Sequence, residues 1–401
     1  MAHLTRNILL TTCLTLLSTN PTLIVAEAIS EEDKPPLRAE ERSAMEAFIL
    51  HRDKKRDEYA QARAITTPNG IDVIESTEIN GLKQWVKIRG NNKDNPVLLY
   101  LHGGPGSASM PFSYSMSSDW EKDFTIVHWD QRGTGKTRCS NPEYDPKTAT
   151  FHDFYADTVA VINFLKDRLN KEKIIVLGHS WGTLLGTHLA KKNPELIHAY
   201  VGTGQMTNTI ESETRGYEFA LEQAQKHNDT EAVEKLKSIA PYPPNEKVAT
   251  AELQRKVSTQ RKYLQKYGGA VQGSYMEKIY EAFFKSPDYS ICDWMGFIDT
   301  QLGGTPYPHR DLTGMFLQKE AGLANFDQDL GFDFSVPIFF FLGALDYQTS
   351  TTVATQYFDK ITAPHKELVI FEKSGHAPPS TEEKKFVDNL VNLVRPYATK
   401  K

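Results

Sequence analysis

From residue 97 onward the chain alternates between two patterns. Short runs are apolar at nearly every position: Val97–Leu101, Phe124–Trp129, Lys173–Gly178, Ala199–Gly202, Pro337–Gly343 and Glu367–Glu372. Longer runs between them are apolar on one side only. Phe154, Thr158, Ile162, Leu165 and Leu169 form a helical stripe, Thr183–Asn193 reads as a helix, and further helices are expected from about Thr349 and over Glu382–Val394. A strand covered on both faces has no polar side to show, so the short runs fit the interior strands of a parallel sheet. The alternation predicts an α/β domain, a mostly parallel sheet flanked by helices with right-handed crossovers.

Two stretches break this rhythm. Residues 30–65 are charged and helix-prone, with Met45, Phe48, Ile49 and Arg52 on one side. A Thr-Pro-Asn-Gly turn at 67–70 follows. The strand-like runs Ile71–Ile74 and Trp85–Ile88 come next, separated by the hairpin signal Asn80-Gly81. Residues 204–330 do not alternate and are rich in Gln, Lys, Tyr and Glu at helical spacing, which predicts a helical cap inserted between two core strands. The expected organisation is a leader at 1–28, a helical extension at 29–69, a core in two parts at 70–203 and 331–401, and the cap at 204–330.

The leader reading rests on Arg6, an apolar but Thr-rich run from Ile8 to Val25, and the small-x-small pattern Ala26-Glu27-Ala28. Asn20 and Pro21 make that run too polar for a good membrane span, and no other stretch of the sequence suits one. Export to a periplasmic or extracellular space is the expectation. A net charge of −5 over 401 residues gives no reason to expect nucleic acid as a partner. Cys13 would leave with the leader. Cys139 and Cys292 remain, as a disulfide or as two thiols, and neither lies in a CxxC, so no structural metal or other cofactor is expected.

The chemistry concentrates at Gly178-His-Ser-Trp-Gly182, a G-x-S-x-G placed directly after a strand and before a helix. There the serine occupies a sharp turn with its hydroxyl above the sheet, and the helix N-terminus offers N–H groups to a developing oxyanion. In this architecture the acid follows in the chain and the histidine comes last. Asp346 lies just beyond the strand at 337–343 and His376 just beyond the one at 367–372, both at the sheet edge that carries Ser180. Asp333 and Glu372 are rival acids and His365 a rival base, but they sit before or inside strands. The oxyanion donors expected are the N–H of Trp181 and that of Gly104, in the His102–Gly106 loop after the strand at 97–101; Pro105 has no N–H to give. His102 is expected to brace that loop.

In this order and spacing, "HGGPG", "DQRGTGKT", "GHSWGTLLG", "LGALD" and "SGH" resemble the α/β-hydrolase fold, and more narrowly the prolyl iminopeptidase group of serine hydrolases, over about 70–203 and 331–401. The resemblance implies a loop at 130–133 near the floor of the site, with Asp130 and Arg132 as a structural charge pair. It argues against nucleotide binding by Gly135-Lys136-Thr137. A phosphate loop needs a glycine where Asp130 stands and a helix after the threonine, whereas "RCSNPEYDP" follows here; Lys136 is then expected in solvent.

An iminopeptidase must also hold the free amine of a small peptide substrate, and a buried ammonium needs carboxylates. Glu211 and Glu213 at the start of the cap are the substrate-binding candidates, with Glu277 and Glu281 behind them. Tyr275, Tyr280, Phe283 and Trp294 are candidate pocket walls. A carboxylesterase or amidase acting on another acyl group stays open beside the aminopeptidase reading, as does a binding protein with an idle triad.

Overall fold

The computed structural model describes residues 39–273, 275–294, 297 and 329–399. The expected leader lies outside them. Eight strands form one sheet: β1 (Ile71–Ile79), β2 (Leu82–Gly90), β3 (Val97–Leu101), β4 (Thr125–Asp130), β5 (Ile174–His179), β6 (Ile197–Thr203), β7 (Ile338–Gly343) and β8 (Lys366–Phe371). The helices named below are α1 (Ala39–Ala62), α2 (Gly135–Ser140), α3 (Phe151–Leu169), α4 (Trp181–Lys192), α5 (Thr209–Lys226), α6 (Thr230–Lys237), α7 (Thr250–Lys266), α8 (Tyr275–Lys285), α9 (Thr351–Lys360) and α10 (Glu383–Asn389).

The strand order is β1-β2-β4-β3-β5-β6-β7-β8. The first hairpin turns at Asn80 and Gly81, φ 48° and 77°, the paired positive values that let a two-residue turn follow strand twist. It runs longer than the sequence suggests, with Ile79 paired to Leu82. From β4 to β8 every pairing is parallel. Alternation within the strands sorts two cores. Leu99, Leu101, Val176, Tyr200 and Phe340 pack with Phe154, Ile162 and Leu165 of α3 and Leu185 of α4. Leu98, Ile175, Val201, Phe339 and Phe341 pack on the other face against Trp120, Phe386 and Leu390. Side chains on successive strand residues point to opposite faces, which is why a wholly apolar strand needs helices on both sides.

The chain between β6 and β7 carries α5 to α8. Ala220, Ala224, Leu236, Ile239 and Tyr263 give α5, α6 and α7 an apolar cluster of their own. Helix α1 leans on α8 through its arginines. Arg52 donates to the carbonyls of Phe283 (3.0 Å) and Tyr289 (2.9 Å), and Arg56 donates to that of Ser286 (2.9 Å). Cations over the carbonyl end of a helix satisfy acceptors that have no partner within it. No described helix is long and apolar enough to cross a membrane.

The 130–139 loop departs from expectation in three respects. A short helix, α2, does form, beginning inside the loop at Gly135 and ending before Asn141-Pro142. Arg132 pairs not with Asp130 but with Asp157 of α3, at 2.6 and 2.7 Å; that carboxylate also accepts from Gln84 and Asn80. Lys136 is not solvated but paired with Asp293, 2.8 Å away. The loop and β2 grip the cap segment 288–293. Lys87 pairs with Asp288, Tyr289 donates to Asp130 (2.7 Å), and Cys139 is disulfide-bonded to Cys292 with Cα atoms 5.8 Å apart.

Candidate active site

Ser180 stands between the last residue of β5 and the first of α4 with φ 52° and ψ −120°. A non-glycine residue held there is strained, and the two glycines around it show how tightly the turn is drawn. A Cβ on Gly178 would lie 2.6 Å from the Gly182 carbonyl oxygen, and one on Gly182 would lie 2.0 Å from that of Leu101. The Ser180 N–H donates to the Thr203 carbonyl at the end of β6 (3.1 Å), which fixes the turn against the sheet.

Asp346 and His376 meet at the same edge. The His376 Nδ1–H donates to Asp346 Oδ2 (2.9 Å), with both side chains buried. Thr349 donates its hydroxyl to the same carboxylate oxygen (2.7 Å), while the N–H groups of Gln348 and Thr349 take the other, at 2.8 and 3.0 Å. Burial alone would raise the Asp346 carboxyl; the adjacent His376 and the Thr349 donors outweigh it and hold the group below the usual carboxylate value. Asp346 is therefore an anion at neutral pH, aimed at the imidazole.

The other histidines nearby play a different part. Burial lowers His102 and His179 to about 4 and His128 to about 3, so all three are neutral. His179 donates to the His376 carbonyl (2.9 Å), His102 to that of Gly103 (2.9 Å), and His128 bridges the hydroxyls of Ser109 and Ser117. They brace the loops, as expected for His102. His376 alone of the four has a carboxylate partner. The rivals lie elsewhere: Glu372 pairs with Lys385, His365 with Glu367, and Asp333 bridges Thr362.

Ser180 and His376 line a cavity of about 740 Å³, together with Gly103 and Gly104. The first of these glycines lies against the serine, a Cβ on Gly103 falling 3.1 Å from Ser180 Cβ. Trp181 opens α4, so its N–H belongs to the first helical turn at the positive end of the helix. Its indole is buried and donates to Gln131 (3.1 Å). Among the hydrogen bonds of the described residues none joins Ser180 Oγ to His376 Nε2. Such contacts are often long in substrate-free enzymes and shorten when substrate binds.

The cap side corrects the sequence reading. Glu211 is half-exposed and pairs with Arg215 (2.9 Å), one turn along α5. Glu213 is buried, but Arg261 holds it in an ion pair and the Tyr242 hydroxyl donates to it (2.5 Å). Neither lines the cavity; Arg261 does. Glu281 lines it too, paired with Lys285, and so does Glu383 from the head of α10, which sequence reasoning missed. Burial and the proximity of Asp119 raise the Glu383 carboxyl. Glu277 is exposed. Trp294 is packed with Tyr289, Phe297 and Met110, with Phe283 against that cluster, so these aromatics make cap core rather than cavity wall. The side chains of Tyr275 and Tyr280 lie outside the described residues. Tyr59, Tyr100, Phe112 and Tyr114, from α1 and the core, supply the wall. Among the described residues no group of His, Cys, Asp or Glu is placed to hold a metal ion.

A family model described as alpha/beta hydrolase fold matches residues 96–382. Over 331 residues the chain is 25% identical to a Bacillus subtilis (strain 168) protein named "Probable aminopeptidase YbaC", covering 82% of this chain and 99% of that one. A proline iminopeptidase of Neisseria meningitidis serogroup B is 32% identical over 128 residues, 32% of this chain and 38% of its own length. The crystal structure of a proline iminopeptidase-related protein from Thermus thermophilus is similar in fold, with a TM-score of 0.53 and 19% identity over 82% of this chain and 99% of that one.

Proposed function

The chain belongs to the alpha/beta hydrolase fold family, and we propose that within it this protein is a serine hydrolase that transfers acyl groups to water, with an aminopeptidase substrate. The observation that carries this reading is the buried Asp346–His376 pair and a serine held in a strained turn, with Ser180 and His376 lining one cavity.

In this reading His376 Nε2 takes the Ser180 proton as the hydroxyl oxygen attacks the substrate carbonyl. Asp346 stabilises the imidazolium that forms and fixes the tautomer. The N–H groups of Gly104 and Trp181 receive the oxyanion of the tetrahedral intermediate, where they cost no reorganisation. Collapse breaks the bond to the leaving amine, which departs with the proton from His376 and leaves the acyl group on Ser180. Water then attacks the ester, His376 takes its proton and returns it to Ser180 Oγ as the ester bond breaks, and the acid is released from the restored hydroxyl.

The aminopeptidase substrate is supported by the long match to the Bacillus protein and by Glu383, a half-buried carboxylate on the cavity with no ion-pair partner among the described residues. An N-terminal ammonium would complete it. The carboxylesterase alternative is favoured by one observation: arginines already hold Glu211 and Glu213. Export is supported by the sequence of residues 1–28 and by the Cys139–Cys292 disulfide, which suits an oxidising compartment.

The test is the chain from Ile29 assayed on prolyl-arylamide, alanyl-arylamide and short p-nitrophenyl esters beside Ser180→Ala. Arylamide turnover that falls by about 10⁴-fold or more in the variant supports the peptidase. Ester turnover alone, lost in the variant, leaves the esterase. Activity undiminished in Ser180→Ala refutes the serine mechanism.

A further inference from the structure

Helix α7 presents Arg261 and Gln265 to the cavity that holds Ser180. Gln265 is committed to the chain, exchanging hydrogen bonds with the backbone of Val271 at 2.6 and 3.1 Å. Arg261 is only half committed. Its Nη1 donates to Glu213 Oε2 (2.8 Å) and to the Gln260 side-chain oxygen, and its Nη2 donates to Glu213 Oε1. A guanidinium has five N–H donors in one plane and two edges that each match a carboxylate. Glu213 takes the edge formed by the two Nη atoms. The Tyr242 hydroxyl, which donates to Glu213, also lies within hydrogen-bond reach of the guanidinium. Among the hydrogen bonds of the described residues none uses Nε–H or the second Nη2–H, the other edge, and the side chain keeps 30% of its accessibility.

We propose that this second edge of Arg261 binds the free carboxylate of a short peptide substrate, on the side of the cavity from which the leaving amino acid departs. This rests on the peptidase reading above and names its substrate class: peptides short enough for their C-terminus to reach the cap. The side follows from the chemistry. His376 hands its proton to the leaving amine, so the departing half of the substrate lies toward the Asp346–His376 pair. Arg261 is near enough to Asp346 to feel its charge, and burial notwithstanding, Glu213, Tyr242 and Asp346 keep the guanidinium protonated. Glu213 then serves as the strut that orients Arg261. The rival role is that Arg261 is itself only a strut, tying α7 to Glu213 of α5.

The experiment compares alanyl-alanine with alanyl-alanine carboxamide on the chain from Ile29. Turnover is measured in the wild type and binding in the Ser180→Ala background, where no chemistry intervenes. The proposal predicts that the free acid is preferred about 10–100-fold, the range of a two-pronged charge-assisted contact, and that the preference sits in KM and Kd rather than kcat. Arg261→Met should bring the ratio close to one, and Arg261→Lys, which keeps the charge but not the fork, should retain part of it. No preference in the wild type, or an equal loss on both ligands in Arg261→Met, overturns the assignment and leaves the strut. Should Arg261→Met not fold because Glu213 is stranded, Glu213→Gln/Arg261→Met removes both charges and is read in the same way. Preferential binding of the acid without any peptide turnover refutes the peptidase reading while leaving the anion site in place.

Discussion

Lys136 Nζ lies 2.8 Å from Asp293 Oδ2, which joins the loop after β4 to the cap. The Gly-Lys-Thr sequence therefore serves a mechanical role. Lys136 binds a carboxylate instead of a phosphate, Thr137 donates its hydroxyl back to the Asp130 carbonyl (2.6 Å), and the Lys136 N–H goes to the Asp130 side chain (2.8 Å). With Cys139–Cys292 one turn further on, residues 130–139 anchor the cap beside the sheet edge that carries Ser180.

That disulfide spans 153 residues of sequence, including most of the described cap. A cross-link over so long a loop restricts the unfolded chain strongly. Cys139→Ser/Cys292→Ser should lower unfolding stability by about 2–4 kcal/mol, measured by urea denaturation of the chain from Ile29. Dithiothreitol should destabilise the wild type to the same level and leave the variant where it was. A variant as stable as the oxidised wild type would show that the ion pairs alone hold the cap.

Asp130 gives the same anchor a pH dependence. Burial lifts its carboxyl to about 7 against the pull of the Tyr289 hydroxyl and the Lys136 N–H, and its Oδ1 has no hydrogen-bond partner among the described residues. The unfolded chain releases this proton near 3.8. Between the two values the folded state binds more protons, so this group's contribution to stability falls as pH rises through that window and is constant above it. Asp130→Asn keeps an acceptor for the Lys136 N–H but cannot ionise. The stability of the wild type minus that of Asp130→Asn should therefore decrease by a few kcal/mol, about 1.4 per pH unit at most, from pH 4 to pH 7 and then level off. Denaturation midpoints that keep a constant offset across this range would contradict it.

What sequence pattern made legible was the sheet edge. A parallel α/β sheet delivers the ends of its strands to one side, so residues just past β5, β7 and β8 had to converge, and Ser180, Asp346 and His376 are those residues. Cap side chains follow no comparable rule. Glu211 and Glu213 are about 200° apart on α5, so one faces out and the other in, and both found arginines that pattern could not reveal: Arg215 one turn on, and Arg261 forty-eight residues away. Arg261 itself sits in a helix that also carries Arg255, Lys256 and Lys262, and nothing local distinguishes it from those. The Asp130–Arg132 pairing failed for a related reason. Residues two apart in an irregular loop need not face each other, and Asp157 offered Arg132 both carboxylate oxygens.

Gly204 offers a test of the proposed role of His376 that leaves His376 itself unchanged. It follows β6 with φ +54°, and a Cβ there would stand 2.9 Å from His376 Cε1 and 3.0 Å from Nδ1. Gly204→Ala should cost about 1 kcal/mol of stability for the backbone conformation. It should also displace the imidazole, lowering kcat by about 10–100-fold with KM less affected, as expected when a general base is moved by a fraction of an ångström. Far-UV circular dichroism and steady-state kinetics on alanyl-arylamide check both halves. Full activity in a folded variant would mean that the ring has room its neighbours do not suggest.

Glu383 decides between the two substrate readings. Its carboxylate lies on the cavity at the head of α10, within electrostatic reach of Lys278 and Arg63 but in no ion pair among the described residues. If it meets the substrate ammonium, Glu383→Gln removes a charge that the bound amine needs while preserving shape. KM for prolyl- or alanyl-arylamide should then rise by about 10-fold or more, the value of a charge-assisted hydrogen bond in a partly dry site, and kcat should change less. Acetyl esters, which have no amine, provide the internal control. A loss confined to amine substrates makes Glu383 the amine recognition group, in place of the arginine-paired Glu211 and Glu213. An equal loss on both substrate types would instead assign it to holding α10 and the His376 loop in position, and the aminopeptidase reading would lose its main support within the cavity.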